Sequence, residues 1–514
     1  MQTTTTAFTN RAKGSMRHID WRCLMSFDKA FDSNIDFFTI GVSTIGGTDI
    51  IKGEGDVVQE WDKYTYDDFT DRVISVEWSR DQNILSSVSL AMADIVLDNH
   101  DDFFTPNGGS IIEDYILPYR PIKIYAGFKD ESIPVFVGLT EKMPVVDDAN
   151  KTVSFHCIDF LYSLFNRPLD ESLILTDVRT DEILDDLFAI AGLTPSQYNL
   201  DVGFNIVKFS YFPKGSKLGD AVSELLEAEM GRLYLDELGV IQFKNRQNFS
   251  QVPVYAFSPN NILNVETSKQ DDLINVVEIK ADVREVQANQ KFWEQQSPVL
   301  IRAGETVEIW ADFEDPVTSA DDPDYITSAT TSSYTTNVRE DGTGENNSGD
   351  ITLNATTLFA QSFKMPFENT GTEDIYITTL EVFATPAKIV KQIYLREQDA
   401  VSVAKYDERV ITIENNFIQR SDEAYSKALI LLDDYSEYGS TLTLSVKGNP
   451  ALQLNDALDV ILPGAGLRTF VIDKSRCKIQ AARFEQTLVV KQRDPTTYFT
   501  IGISTIGGSD VIAP

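Results

Sequence analysis

The chain has 514 residues, of which 42% are hydrophobic and 11% aromatic. It is too long for one hydrophobic core and too apolar for a disordered polymer, so three or four folded domains are expected. Its 44 basic residues against 79 acidic ones leave a formal net charge of -35, which disfavours binding to a phosphate backbone, a task that needs clustered Lys and Arg. Cys23, Cys157 and Cys477 are too widely spaced for a disulfide framework or a zinc pattern and read as buried thiols. No run approaches the roughly 18 apolar residues of a membrane span, and Met1 to Arg22 lacks a signal-like apolar stretch, so the chain is expected to stay in a cytosol until it assembles.

From about Asp71 to Phe160 the pattern has period two: Ile74, Val76 and Trp78 alternate with polar neighbours, as do Ile122, Ile124, Ala126 and Phe128, and then Val153, Phe155 and Cys157. Such alternation, punctuated at Thr105-Pro106-Asn107-Gly108-Gly109 and at Asp147-Asp148-Ala149-Asn150, predicts an antiparallel barrel or sandwich. A helix is expected after Thr180 as cap, with Asp181 and Glu182 in its first turn, Ile183, Leu184, Leu187 and Ile190 as its stripe and Gly192 as its stop. A second follows Ser216, with Leu218, Ala221, Val222, Leu225 and Ala228 on one face, and a hairpin from Arg232 to Phe243 completes a small α+β domain. Between 312 and 350, Thr, Ser, Asp and Gly replace large aliphatics, which predicts a long, mobile loop. Strand-like runs return near Ile375 and Leu380, giving an inserted β-sandwich over 301–395. A third helix is expected after Ser421, followed by strands to Lys491 with turns at Lys447-Gly448-Asn449-Pro450 and Asn455-Asp456.

One repeat joins the two ends of the chain. Eleven of the fifteen positions in 37–51 recur identically in 498–512. Phe38, Ile40, Gly46 and Gly47, with their counterparts Phe499, Ile501, Gly507 and Gly508, are the candidate assembly residues. Each copy reads as a strand ending in a tight turn where paired glycines permit positive φ. The copies are either two similar edge strands or docking segments that add to sheet edges of neighbouring subunits.

Searches for catalytic patterns return no nucleophile elbow, zinc helix or phosphate loop, and His18, His100 and His156 offer little material for histidine chemistry. His156 reads as a surface histidine, and Asp98-Asn99-His100-Asp101-Asp102 as a solvated turn, since it lacks the spacing of a calcium loop. With 79 acids, pairs such as Asp185-Asp186 and Asp433-Asp434 arise by chance. No catalytic residue, cofactor or metal is expected.

Several phrases together resemble the tail hub and tail-tip proteins of bacteriophages, related in fold to the baseplate hub of the T-even phages. They are Asp71 to Trp78, Ala93 to Asn99, Phe104-Thr105-Pro106, Leu117 to Ile124 and Val135 to Gly138, and then Lys447 to Pro450 with Asp456 to Val460. Asn455 stands where that family carries a Gly. The resemblance implies a mainly β fold with a small α+β domain: two tail-tube-like β-barrels plus an inserted β-sandwich. The divisions are a first barrel with an N-terminal arm (1–165), the α+β domain (166–250), a second barrel (251–300 and 396–495), the insert (301–395) and a terminal strand (496–514). It implies a non-enzymatic virion tail protein, assembled in the host bacterial cytoplasm. This protein would be a homo-oligomer, a trimer or else a hexamer, whose two barrels per chain form a pseudo-sixfold ring. Its partners would be the tail tube or distal tail protein and receptor-binding or tip proteins, with genome DNA passing through the lumen without specific binding and no insertion into a membrane. The alternatives are a distal tail ring protein and a host-glycan-binding adhesin using Tyr325 and Tyr334.

Overall fold

The computed structural model describes residues 1–14, 17–27, 64–81, 88–106, 108–129, 131–169, 172–246, 252–257, 259–269, 273–325, 331–437, 440–462, 466–480 and 483–492. The chain is mainly β. Six strands form a first unit: β1 (Ile19–Met25), β2 (Val73–Asp81), β3 (Ala91–Asp98), β4 (Pro121–Phe128), β5 (Glu131–Thr140) and β6 (Thr152–Ile158), in the spatial order β2-β3-β6-β5-β4-β1. The alternation read from sequence sets their faces. Ala91, Ala93, Ile95 and Leu97 of β3 and Val153, Phe155 and Cys157 of β6 are buried around Phe104, Phe128 and Phe136. His156 faces the other way, its Nδ1 2.7 Å from an Asp94 carboxylate oxygen. Helix α1 (Thr6–Lys13) lays Phe8 against Phe128, their ring centroids 5.1 Å apart.

A second unit has six more strands: β7 (Tyr255–Phe257), β8 (Ile262–Lys269), β9 (Ser440–Lys447), β10 (Ala457–Leu462), β11 (Gly466–Gln480) and β12 (Arg483–Lys491), in the order β8-β9-β12-β11-β10-β7. Its core gathers Phe257, Leu444, Val446, Leu458, Val460, Phe470, Ile472 and Leu488.

Neither unit closes into a barrel among the described residues. Nothing pairs β1 with β2 or β7 with β8; instead the outer edge of β2 is taken by β11, antiparallel, from Ser75 opposite Gln480 to Asp81 opposite Lys474. The edge that closure would use joins the units into one 14-stranded sheet.

The chain builds the remainder in two stretches, between β6 and β7 and between β8 and β9. Helices α2 (Phe160–Phe165), α3 (Thr180–Ile190), α4 (Leu218–Glu229), α5 (Ala400–Tyr406) and α6 (Ser421–Tyr435) belong to this part of the fold, and α2, α3, α4 and α6 share a core with the hairpin strands Arg232–Leu235 and Ile241–Lys244. Thr180 is the first residue of α3, not its cap. Arg179 precedes it, its backbone N–H donating to Glu182 at 2.9 Å, while the Thr180 hydroxyl turns inward to Glu229 at 3.1 Å. Helix α4 ends at Met230, at φ 56°, one residue before Gly231. Lys427 of α6 is buried in this body beside Arg246, Glu229, Glu423 and Glu227, and desolvation lowers its pKa to about 7.

Two boundaries differ from the sequence reading. The segment Val276–Val286, assigned above to the second barrel, pairs with the far half of the long strand Ile375–Gln398 and with Val410–Glu414, and packs on α6. The stretch 312–350, read as a loop, carries the strands Val317–Ala320, Asp324–Tyr325 and Ser333–Asn337. Threonines and serines suit a half-exposed pleat, and Thr335 meets Thr378 across it at 2.9 Å. The first half of Ile375–Gln398 faces this insert, whose core holds Phe363, Met365, Phe367, Ile377 and Leu380.

Candidate assembly interface

Adding six to each strand number of the first unit gives the strand order of the second, and the likeness extends to single residues. In β2–β3 a bulge skips Ile74 between the pairs Val73–Leu97 and Ser75–Val96. In β8–β9 it skips Leu263 between Ile262–Val446 and Asn264–Ser445. A 3-10 turn precedes each bulged strand, Thr70–Arg72 in one and Pro259–Asn261 in the other. Following the ladders outward from these bulges makes Asp98 equivalent to Lys447 and Thr152 equivalent to Glu485. The chain turns into β4 and β10 through residues of positive φ, Tyr119 at 61° and Asn455 at 67°. Both make the same bonds: Tyr119 N donates to Thr140 O at 2.6 Å, and Asn455 N to Ile472 O at 3.0 Å. The next residue accepts in return, Arg120 O from Thr140 N at 2.9 Å and Asp456 O from Ile472 N at 3.1 Å.

The units differ at the strand beside β4 or β10. There β1 runs antiparallel to β4, while β7 runs parallel to β10.

Side chains lock the join of β2 to β11. Trp78 lies against Phe484, ring centroids 5.7 Å apart, and Lys474 Nζ is 2.7 Å from Asp81. Arg476 pairs with Glu77, and Arg80 with Glu237, whose other oxygen accepts from Gln453 Nε2 at 2.5 Å. A cavity of about 20 Å³ beside Trp78, Arg80, Glu237, Gln453 and Cys477 has room for one water. Burial pushes the Cys477 thiol up to about 12, which keeps it protonated at neutral pH. Gly448 is required by this packing, since a Cβ there would meet the Phe484 ring at 2.6 Å.

The assembly residues proposed from sequence, Phe38, Ile40, Gly46, Gly47, Phe499, Ile501, Gly507 and Gly508, lie outside the described residues. Of the tyrosines considered for glycan stacking, Tyr334 is buried against Phe367, and Tyr325 packs edge-on to Tyr334 at 5.7 Å. Asp185 accepts from the Tyr198 hydroxyl at 2.5 Å, which gives it a structural partner. Among the described residues no group of three or more His, Cys, Asp or Glu could hold a metal ion, and no helix is long and apolar enough to cross a membrane. Sequence reasoning missed the join of β2 to β11, because its pairs are separated by about 400 residues and alternation carries no information about a partner.

No family model matches the sequence, and no curated protein matches it. Among solved structures, the chain is similar to the 43 kDa tail protein of prophage MuSo2 from Shewanella oneidensis, at 11% identity and a TM-score of 0.45, covering 83% of this chain and 94% of that one. It is also similar to a tail protein from Neisseria meningitidis MC58, at 11% identity and a TM-score of 0.47, covering 84% and 94%. A third is the prophage tail protein gp18 from Listeria monocytogenes EGD-e, at 10% identity and a TM-score of 0.40, covering 84% and 92%.

Proposed function

We propose that this chain is a non-enzymatic hub of a bacteriophage tail, mounting the tip on the tail tube and forming part of the channel for DNA. The observation that carries this reading is the duplication: two β units of one strand order, with matching bulges and matching positive-φ turns, occur in a single chain. Three such chains present six equivalent units, which reconciles a sixfold tube above with a threefold tip below. A distal tail ring needs one unit per chain for sixfold symmetry, so the duplication favours the hub. The excess of acidic residues, 79 against 44 basic, gives a lumen that repels passing DNA. The repeated segments 37–51 and 498–512 are proposed as docking strands, two copies for two units. The inward packing of Tyr334 weighs against the adhesin.

Negative-stain microscopy of the purified chain tests the reading. End-on classes with threefold symmetry and a central hole are expected; a sixfold ring of six chains would replace the hub with the distal ring protein. In phage carrying deletions, loss of the segment 498–512 should abolish assembled tails, whereas intact tails that fail to adsorb would favour the adhesin.

A further inference from the structure

Helix α6 joins two parts of the fold. It packs on Val276–Val286 and on Ile375–Gln398, the long strand whose first half belongs to the insert, and it shares a core with α4. The linker leading into α6 is stitched to the α+β domain. Asn415 Nδ2 donates to Glu224 O at 2.8 Å, Asn205 Nδ2 to Phe417 O at 3.1 Å, and Gln419 Oε1 accepts from Lys208 N at 2.8 Å. Lys427 is fully buried in this joint, and its Nζ has no hydrogen-bond partner among the described residues. The same holds for Glu423 Oε2, one helical turn earlier, and for Asn205 Oδ1. The charged groups facing Lys427 are Glu227 and Glu229 of α4, Glu423 of α6 and Arg246 after the hairpin. Both α4 carboxylates are engaged elsewhere: Glu229 accepts from Phe204 N at 3.0 Å, Asn205 N at 2.7 Å and the Thr180 hydroxyl at 3.1 Å, and Glu227 accepts from Asn415 Nδ2 at 2.8 Å.

A buried amine without a partner is tolerated when neutral, whereas a buried ammonium without one is strongly disfavoured. We propose that Lys427 makes the contact of α4 with α6 a proton-operated lock: the joint is closed while the amine is neutral, and a proton on it is accommodated by α6 parting from α4 to admit water. Because α6 packs on the sheet that carries the insert, opening the lock frees the insert from the α+β domain. Burial holds Lys427 at about 7 in the closed joint, against about 10.5 for an amine in water. The open joint therefore binds the proton more tightly. Rising pH favours the closed form by up to about tenfold per unit between those two values, and below the lower one nothing further changes. Glu423, raised by desolvation, acts in the opposite sense, its support for the closed joint being present toward acid and lost as pH rises through its raised value. The lock lies outside both duplicated units, so it stands whether or not the hub reading holds.

The test is hydrogen-deuterium exchange of the full chain at about pH 7 and about pH 9, each amide's rate being divided by its intrinsic rate at that pH. Amides of α4 and α6 should be better protected at the higher pH by up to roughly a hundredfold, while those of β3 in the first unit keep their protection. Lys427→Met fills similar space and binds no proton, so it should show the higher protection at both pH values. Glu423→Gln removes the opposing titration and should keep the wild-type response. Wild-type protection that is equal at the two pH values, or a change shared equally by β3, would overturn the proposal, and this comparison decides even where Lys427→Met fails to fold. A response that survives in a folded Lys427→Met, or that vanishes in Glu423→Gln, would overturn it as well.

Discussion

In the first unit, nine residues separate β2 from β3, whereas in the second the whole of 270–439 lies between the equivalent strands β8 and β9. The pairing is unaltered, down to the bulge. A ladder needs only its two strands in register, and the entropy of closing a loop grows with the logarithm of its length, so a folded insertion is tolerated where its ends already lie side by side. The edges tell the opposite story. The bulged strand of the first unit is covered by β11, while that of the second is uncovered among the described residues. Equivalent positions can therefore be compared as buried and exposed versions of one site.

The largest expected effect separates the covered face from the uncovered one. Phe484 is buried against Trp78, and its equivalent beside β6 is Lys151, which is partly exposed and bonded to Asp102 at 3.0 Å. Phe484→Ala should cost about 3–5 kcal/mol in urea unfolding, and Lys151→Ala far less. Equal losses would mean that the join contributes little.

A smaller effect concerns pH. Asp159 follows β6 and is buried, accepting from Ala91 N at 2.7 Å and from Tyr162 N at 3.3 Å; desolvation raises its pKa from 3.8 to about 6. The equivalent after β12 is the neutral Gln492. With the folded value above the unfolded one, the stabilising contribution is full below about pH 4 and is lost as pH rises through about 6, a change of about 3 kcal/mol at most. Asp159→Asn should flatten that segment of the stability-pH curve in chemical denaturation. A slope that survives belongs to another group.

The smallest effect compares the two turns. Tyr119 occupies left-handed space at φ 61° with its ring exposed, so Tyr119→Gly should raise stability by up to about 1 kcal/mol. Asn455→Gly should gain nothing, because Asn tolerates that region and its side chain accepts from Arg232. Paired melting curves decide whether the strain is real.

Sequence by itself determined the period-two faces of β3, β4 and β6, the helical stripes of α3, α4 and α6, and the turn at Asn455-Asp456, since each depends on residues close along the chain. Tyr119 was not legible as the matching turn, because tyrosine carries no local preference for positive φ and is held there by the bonds to Thr140. The assignment of Val276–Val286 failed for a related reason: alternation states that a strand has two faces and leaves its neighbour unnamed. Only the tertiary structure decided which edges pair, hence that the two units are copies, that neither closes among the described residues, and that Trp78 and Phe484 share one interface. Those are contacts between residues about 400 positions apart, where the ladder and the packing of buried rings select the partner and local propensity is silent.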